Sequence, residues 1–177
     1  MRHLLRVLVA VTIVLTVSSS TFIGGPAPAF AAAHDPVTDL QTIERLLYST
    51  SMSDFVAIAS LGDAWLDMST DFCSAPLVGT TGRSFDFHGP CRRHDFGYRN
   101  LKLLDRRWSC ASRPPDGVCS PAGSFGTYWT AASRKRVDEQ FLADMRSHCR
   151  SRPWYDEPTC YAWAQTFYAA VRVGGGI

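Results

Sequence analysis

Ten residues, Cys91-Arg92-Arg93-His94-Asp95-Phe96-Gly97-Tyr98-Arg99-Asn100, set a titratable base beside a carboxylate. On a helix of 3.6 residues per turn, Cys91, His94, Asp95 and Tyr98 fall at i, i+3, i+4 and i+7 and share one face. A core-facing stripe is ordinarily apolar. This one carries a sulfur, an imidazole, a carboxylate and a phenol, which are costly to bury unless they pair or react. Further on, Asp138, Phe141, Leu142 and Met145 form a second stripe, with Cys149 close to the same azimuth and Asp144 pointing off it. A carboxylate on an apolar stripe needs a partner. His94 on a neighbouring helix is the obvious one, with Tyr98 as a further donor; the alternative is a structural pair with Arg93 or Arg99. A carboxylate on one imidazole nitrogen leaves the other as a base toward solvent or substrate.

These side chains need a scaffold, and the periodicity supplies helices. Leu40, Ile43, Leu46 and Leu47 mark a short first helix that Thr38 or Asp39 can cap. The spacing of Phe55, Ile58, Leu61, Trp65 and Met68 predicts a second helix over about 54–68. Residues 71–90, with Gly79, Gly82, Gly89 and two prolines, read as loop apart from the short Phe85-Asp86-Phe87 run. The motif helix starts near Pro90, a residue suited to a first helical turn, and continues to about Leu104. A long connection over 105–132 holds Pro114, Pro115, Gly117, Pro121, Gly123 and Gly126. Helices follow over about 133–150 and 159–173, the last turning Cys160, Trp163, Ala164, Phe167 and Val171 inward. The class is all-α: a small disulfide-stabilised domain whose two central antiparallel helices carry the His94 and Asp138 stripes.

The N-terminus reads as a secretory signal over 1–31. Arg2, His3 and Arg6 precede an eleven-residue apolar run, Val7 to Val17, and Ala29-Phe30-Ala31 offers a cleavage site, with cleavage as late as 33 in an alternative register. A spanning helix needs about 20 residues, and Ser18-Ser19-Ser20 ends this run early, against a membrane anchor. No later segment is apolar enough to span. Residues 34–177 then form one domain. Six cysteines in an exported chain indicate disulfides, and sequence neighbours suggest Cys73–Cys91, Cys110–Cys119 and Cys149–Cys160. Their spacing is unlike paired zinc knuckles. The 18 basic and 16 acidic residues become formally balanced once Arg2 and Arg6 leave with the signal. Charge is uneven: Asp35 to Asp71 holds seven acids against Arg45 alone, whereas residues from Phe72 onward hold fifteen bases and nine acids. The basic half suits phosphate groups or an anionic surface; an ordinary solvated surface is the bland alternative.

Asp95 lies about 100° around the helix from His94, so a metal held by Asp95 would sit beside a His94-activated water. Carboxylate and backbone oxygens suit a hard cation, and calcium is the extracellular one. Asp71 is the best second carboxylate, because Cys73 can tie it to Cys91. Asp86 is its rival, although a turn-forming role between Phe85 and Phe87 describes Asp86 better. Trp65, Leu66, Phe72 and Phe87 are candidates for an apolar mouth, with plain core as their alternative.

Asp71-Phe72-Cys73, Phe85-Asp86-Phe87, the Cys91–Asn100 motif, and Arg136-Val137-Asp138 with Phe141, Asp144-Met145 and Cys149 stand in the order that resembles the secreted phospholipases A2 of the bacterial and fungal type. The resemblance implies that His94 is the general base, that Asp138 orients it with Tyr98 in support, and that calcium is held by the Asp71 and Asp95 side chains and the Phe72 carbonyl. It implies hydrolysis of the sn-2 ester of glycerophospholipids to a lysophospholipid and a fatty acid, by a secreted monomer acting at a membrane or micelle surface. No nucleic acid is involved in that reading, and no G-x-S-x-G nucleophile is present. The glycine-rich calcium loop of the animal enzymes is absent. Two departures stand out: a slightly longer loop between Cys73 and Cys91, and a longer connection from Asn100 to Asp138 that carries Cys110 and Cys119. The competing readings are a catalytically silent lipid-binding or toxin-like module and a secreted metal-dependent nuclease.

Overall fold

The computed structural model describes residues 34–73, 85–109 and 126–174. The signal segment, Cys110 and Cys119 lie outside the described residues. Helix α1 spans Pro36–Glu44 and runs on as a π-helical turn, Arg45–Ser49; α2 is Met52–Leu61, α3 His88–Trp108, α4 Ala131–Arg150 and α5 Glu157–Gly174. Among the described residues the regular elements are all helical, as the periodicity predicts. Helix α4 packs on both α3 and α5, while α1 and α2 lie against α3. Contacts from Phe87 to His148 and from Tyr98 to Asp138 run in opposite directions along α3 and α4, so the pair is antiparallel.

Two apolar clusters flank this pair. One gathers Ile43, Leu46, Leu47, Phe55, Phe96, Leu104 and Val137; the other gathers Phe87, Phe141, Met145 and Phe167 with the buried cysteines. Gly97 lets the helices pack without a side chain between them: a Cβ there would lie 2.8 Å from Val137 Cγ1 and 3.0 Å from Leu47 Cδ2. The disulfides Cys73–Cys91 and Cys149–Cys160 both form. The first ties the loop before the motif to α3, and the second ties α4 to α5.

Three boundaries differ from the sequence reading. The cap of α1 is Asp35, whose carboxylate accepts from the Val37 and Thr38 amides at 2.8 and 3.0 Å. Asp39 is buried instead, accepting from the indoles of Trp65 at 2.7 Å and Trp108 at 3.1 Å. Helix α2 stops at Leu61, because Gly62 takes φ +74° and Asp63 then draws the Trp65 and Leu66 amides into a turn. Trp65 and Met68 thus reach the core from irregular chain. Helix α3 continues past Leu104 to Trp108, held there by the Trp108 indole on Asp39.

Candidate active site

Asp138 comes from the middle of α4, where amphipathic packing turns Val137, Phe141 and Met145 inward with it. Its carboxylate is fully buried (0% exposed), and every bond to it is supplied by another polar group. Oδ1 meets His94 Nε2 at 2.9 Å and accepts from the Tyr98 hydroxyl at 2.7 Å. Oδ2 accepts from Arg172 Nη1 at 2.6 Å, with Arg134 Nε at 3.9 Å. Burial alone would raise the Asp138 pKa; the hydrogen bonds from His94, Tyr98 and Arg172 outweigh it and hold the carboxyl below its ordinary value. An ionised carboxylate only accepts, so the His94 Nε2–H donates to it. The imidazole is about 10% exposed and lies against the Tyr98 and Phe141 rings in tilted contacts, centroids 4.2 and 4.8 Å away. The contact occupies Nε2 and leaves Nδ1 on the side of the ring away from Asp138. Tyr98 stays protonated, since burial and its bond to Asp138 raise its pKa.

The structural alternative for Asp138 assigned the wrong arginines. Arg93 pairs with Asp144 at 3.2 Å and donates to the Thr50 and Ser51 carbonyls, while Arg99 pairs with Asp71 at 3.2 Å. Arg172 and Arg134 hold Asp138 instead, and neither was singled out in the sequence. Arg134 sits four residues before Asp138, a spacing that could have flagged it. Arg172 gives no such signal.

On the adjacent azimuth of α3, Asp95 Oδ2 accepts from the Thr70 hydroxyl at 2.5 Å and from the Asp71 amide at 3.1 Å. Asn100, also fully buried, fixes that loop by accepting from the Asp67 amide and donating to its carbonyl, both at 2.8 Å. Burial pushes the Asp95 carboxyl up to about 6, the Thr70 hydroxyl lowers it, and the Asp71 charge raises it further. A carboxylate raised by burial and by a neighbouring carboxylate's charge is a donor whose cost a hard cation relieves. Phe72 follows with φ +57°, and its amide donates to Thr70 at 2.9 Å. Among the described residues no three His, Cys, Asp or Glu side chains gather as a metal-binding group. Two carboxylates plus a backbone carbonyl, completed by water, nevertheless fit calcium, which takes oxygen ligands of all three kinds. Asp86 lies elsewhere, accepting from the His88 amide at 3.0 Å and the His88 ring at 2.6 Å at the start of α3, the turn-forming role. Of the proposed mouth residues, Leu66 and Phe87 are core and Trp65 is tied to Asp39; Phe72 alone is open, 39% exposed.

A polar cleft of about 540 Å³ lies on the side of α4 away from Asp138, lined by Tyr48, Arg93, Gln140, Asp144 and His148. Neither His94 nor Asp138 lines it.

The sequence profile of the prokaryotic phospholipase A2 family matches residues 43–113 and 126–175, and the chain belongs to that family. The unmatched residues 114–125 fall inside the connection expected to exceed the family's length. A secretory phospholipase A2 from Arthroderma benhamiae is 31% identical over 89% of this chain and 90% of its own length. A second secretory phospholipase A2, from Beauveria bassiana, is 28% identical over 82% of this chain and 64% of its own.

Proposed function

We propose that this member of the family is a secreted, calcium-dependent phospholipase A2 that cleaves the sn-2 ester of glycerophospholipids to a lysophospholipid and a fatty acid. The observation that carries the reading is the 2.9 Å contact between His94 Nε2 and a carboxylate that is wholly buried and fully bonded. In the proposed reaction His94 Nδ1 takes a proton from water as the oxygen attacks the ester carbonyl. Asp138 stabilises the imidazolium that forms, and the same imidazole then protonates the departing glycerol oxygen. Tyr98 keeps the Asp138 oxygen aimed at the ring. Asp71, Asp95 and the Phe72 carbonyl would hold calcium. When bound there, calcium supplies Lewis-acid polarisation of the ester and an anchor for the lipid phosphate. General-base catalysis is worth about 10²–10⁴-fold, so electrostatics and positioning must provide the remainder.

Secretion is supported by the signal-like N-terminus and by the names of the relatives; among the described residues no helix is long and apolar enough to cross a membrane. We read the enzyme as a monomer that meets its substrate at a phospholipid surface. The test is hydrolysis of a phospholipid carrying different labels on its two acyl chains, with calcium and with excess chelator. Release of the sn-2 chain alone, abolished by chelation, is expected. Binding to vesicles with no fatty acid released would favour the silent lipid-binding module instead.

A further inference from the structure

We propose that Arg172, in the last turn of α5, is a positioning residue for this reaction, an assignment that rests on the phospholipase reading above. Its guanidinium holds the Asp138 oxygen that neither His94 nor Tyr98 touches, at 2.6 Å. A carboxylate gripped through one oxygen can still swing about its broad terminal torsion. Oδ1 carries both the His94 and Tyr98 bonds, so any swing would spoil both. The bond at Oδ2 fixes the carboxylate plane and hence the imidazole plane.

The segment bearing Arg172 is itself held in place. Arg134 Nη2 donates to the Val171 and Arg172 carbonyls at 3.1 and 2.8 Å. These belong to the helix-end carbonyls that lack an intrahelical partner. Arg134 thus satisfies the end of α5 from α4, and α5 returns Arg172 to the carboxylate one turn along α4. Arg134 Nε also reaches the Tyr98 hydroxyl at 3.3 Å. The two arginines form a reciprocal clamp between the helices around one buried acid. Arg172 is 35% exposed, so its charge is partly screened by solvent and its main contribution is geometric.

The test compares Arg172→Met, Arg172→Gln and Arg172→Lys with wild type. The readouts are kcat and KM on a dispersed short-chain phospholipid at saturating calcium, and thermal unfolding of each variant. Arg172→Met and Arg172→Gln should lower kcat on the order of 10- to 100-fold, the size usual for losing an outer group that orients a functional side chain. KM should stay within about threefold, the signature of a contact that matters in the transition state. Arg172→Lys should recover most of the kcat. Unchanged kcat in the Met and Gln variants overturns the assignment. So does a loss that Lys does not rescue and that follows the fall in folded fraction, which marks a purely structural arginine. A wild-type protein releasing no fatty acid would instead sink the phospholipase reading itself.

Discussion

At the scale of single residues, the site depends on one acid that is buried, ionised and shared. Asp138→Asn keeps the shape but replaces an acceptor with an amide that can present its NH₂ to His94, so the imidazole loses its fixed tautomer. Turnover is expected to fall by about 10² or more, with calcium affinity unchanged in a binding titration. A loss of calcium binding would make Asp138 part of the metal site instead. The same acid sets a pH dependence. Its folded pKa lies below the unfolded value, so the folded protein binds fewer protons on this group as pH drops below about 4. Its stabilisation is present above the unfolded value and is lost as pH falls through the folded one. Urea unfolding between pH 5 and 2 should show a steeper acid loss for wild type than for Asp138→Asn; parallel curves would contradict this. His94, Asp138 and Asp95 were legible in the sequence because a polar residue on an apolar stripe violates periodicity. Arg172 was not, because a cation in a helix's last turn already has an ordinary reason to be there. Its long reach leaves no periodic trace.

At the scale of elements, Gly97 and Asn100 determine how the helices and the loop meet. A methyl at Gly97 would press on Val137, a stiff β-branched neighbour of Asp138, and on Leu47. Gly97→Ala is therefore expected to cost about 1–3 kcal/mol in chemical unfolding and to reduce turnover by displacing α4. An unchanged midpoint would show that the helices can part without cost. Asn100→Leu strands the Asp67 amide and carbonyl, at a cost of about 1–3 kcal/mol, and frees the loop that brings Thr70 and Asp71 to Asp95. Weaker calcium binding is expected, with kcat at saturating calcium nearly preserved. The extents of α3, α4 and α5 were readable to within a few residues, since long amphipathic runs dominate local signals. The end of α2 was not. Trp65 and Met68 continue its apolar period, yet Gly62 and the Asp63 turn break the helix while both side chains still find the core. Asp39 was misread for a related reason: near a helix start it resembles a cap, while the two indoles that donate to it lie 26 and 69 residues away.

At the scale of the whole molecule, the two disulfides among the described residues divide the work. Cys149–Cys160 closes eleven residues between α4 and α5, worth about 3 kcal/mol in unfolded-chain entropy. Cys73–Cys91 joins the loop proposed to hold calcium to the start of α3. Replacing Cys149 and Cys160 with serine should lower the unfolding midpoint with calcium affinity retained. Replacing Cys73 and Cys91 should weaken calcium affinity as well, and equal effects of the two pairs on calcium would refute this division. In the proposed reaction everything turns on His94 as the base. The most direct measurement is fatty-acid release from an sn-2-labelled phospholipid by His94→Ala at saturating calcium, with circular dichroism showing an intact fold. Hydrolysis is expected to fall at least about 10²-fold in the folded variant. Near wild-type release by that variant would contradict His94 as the base.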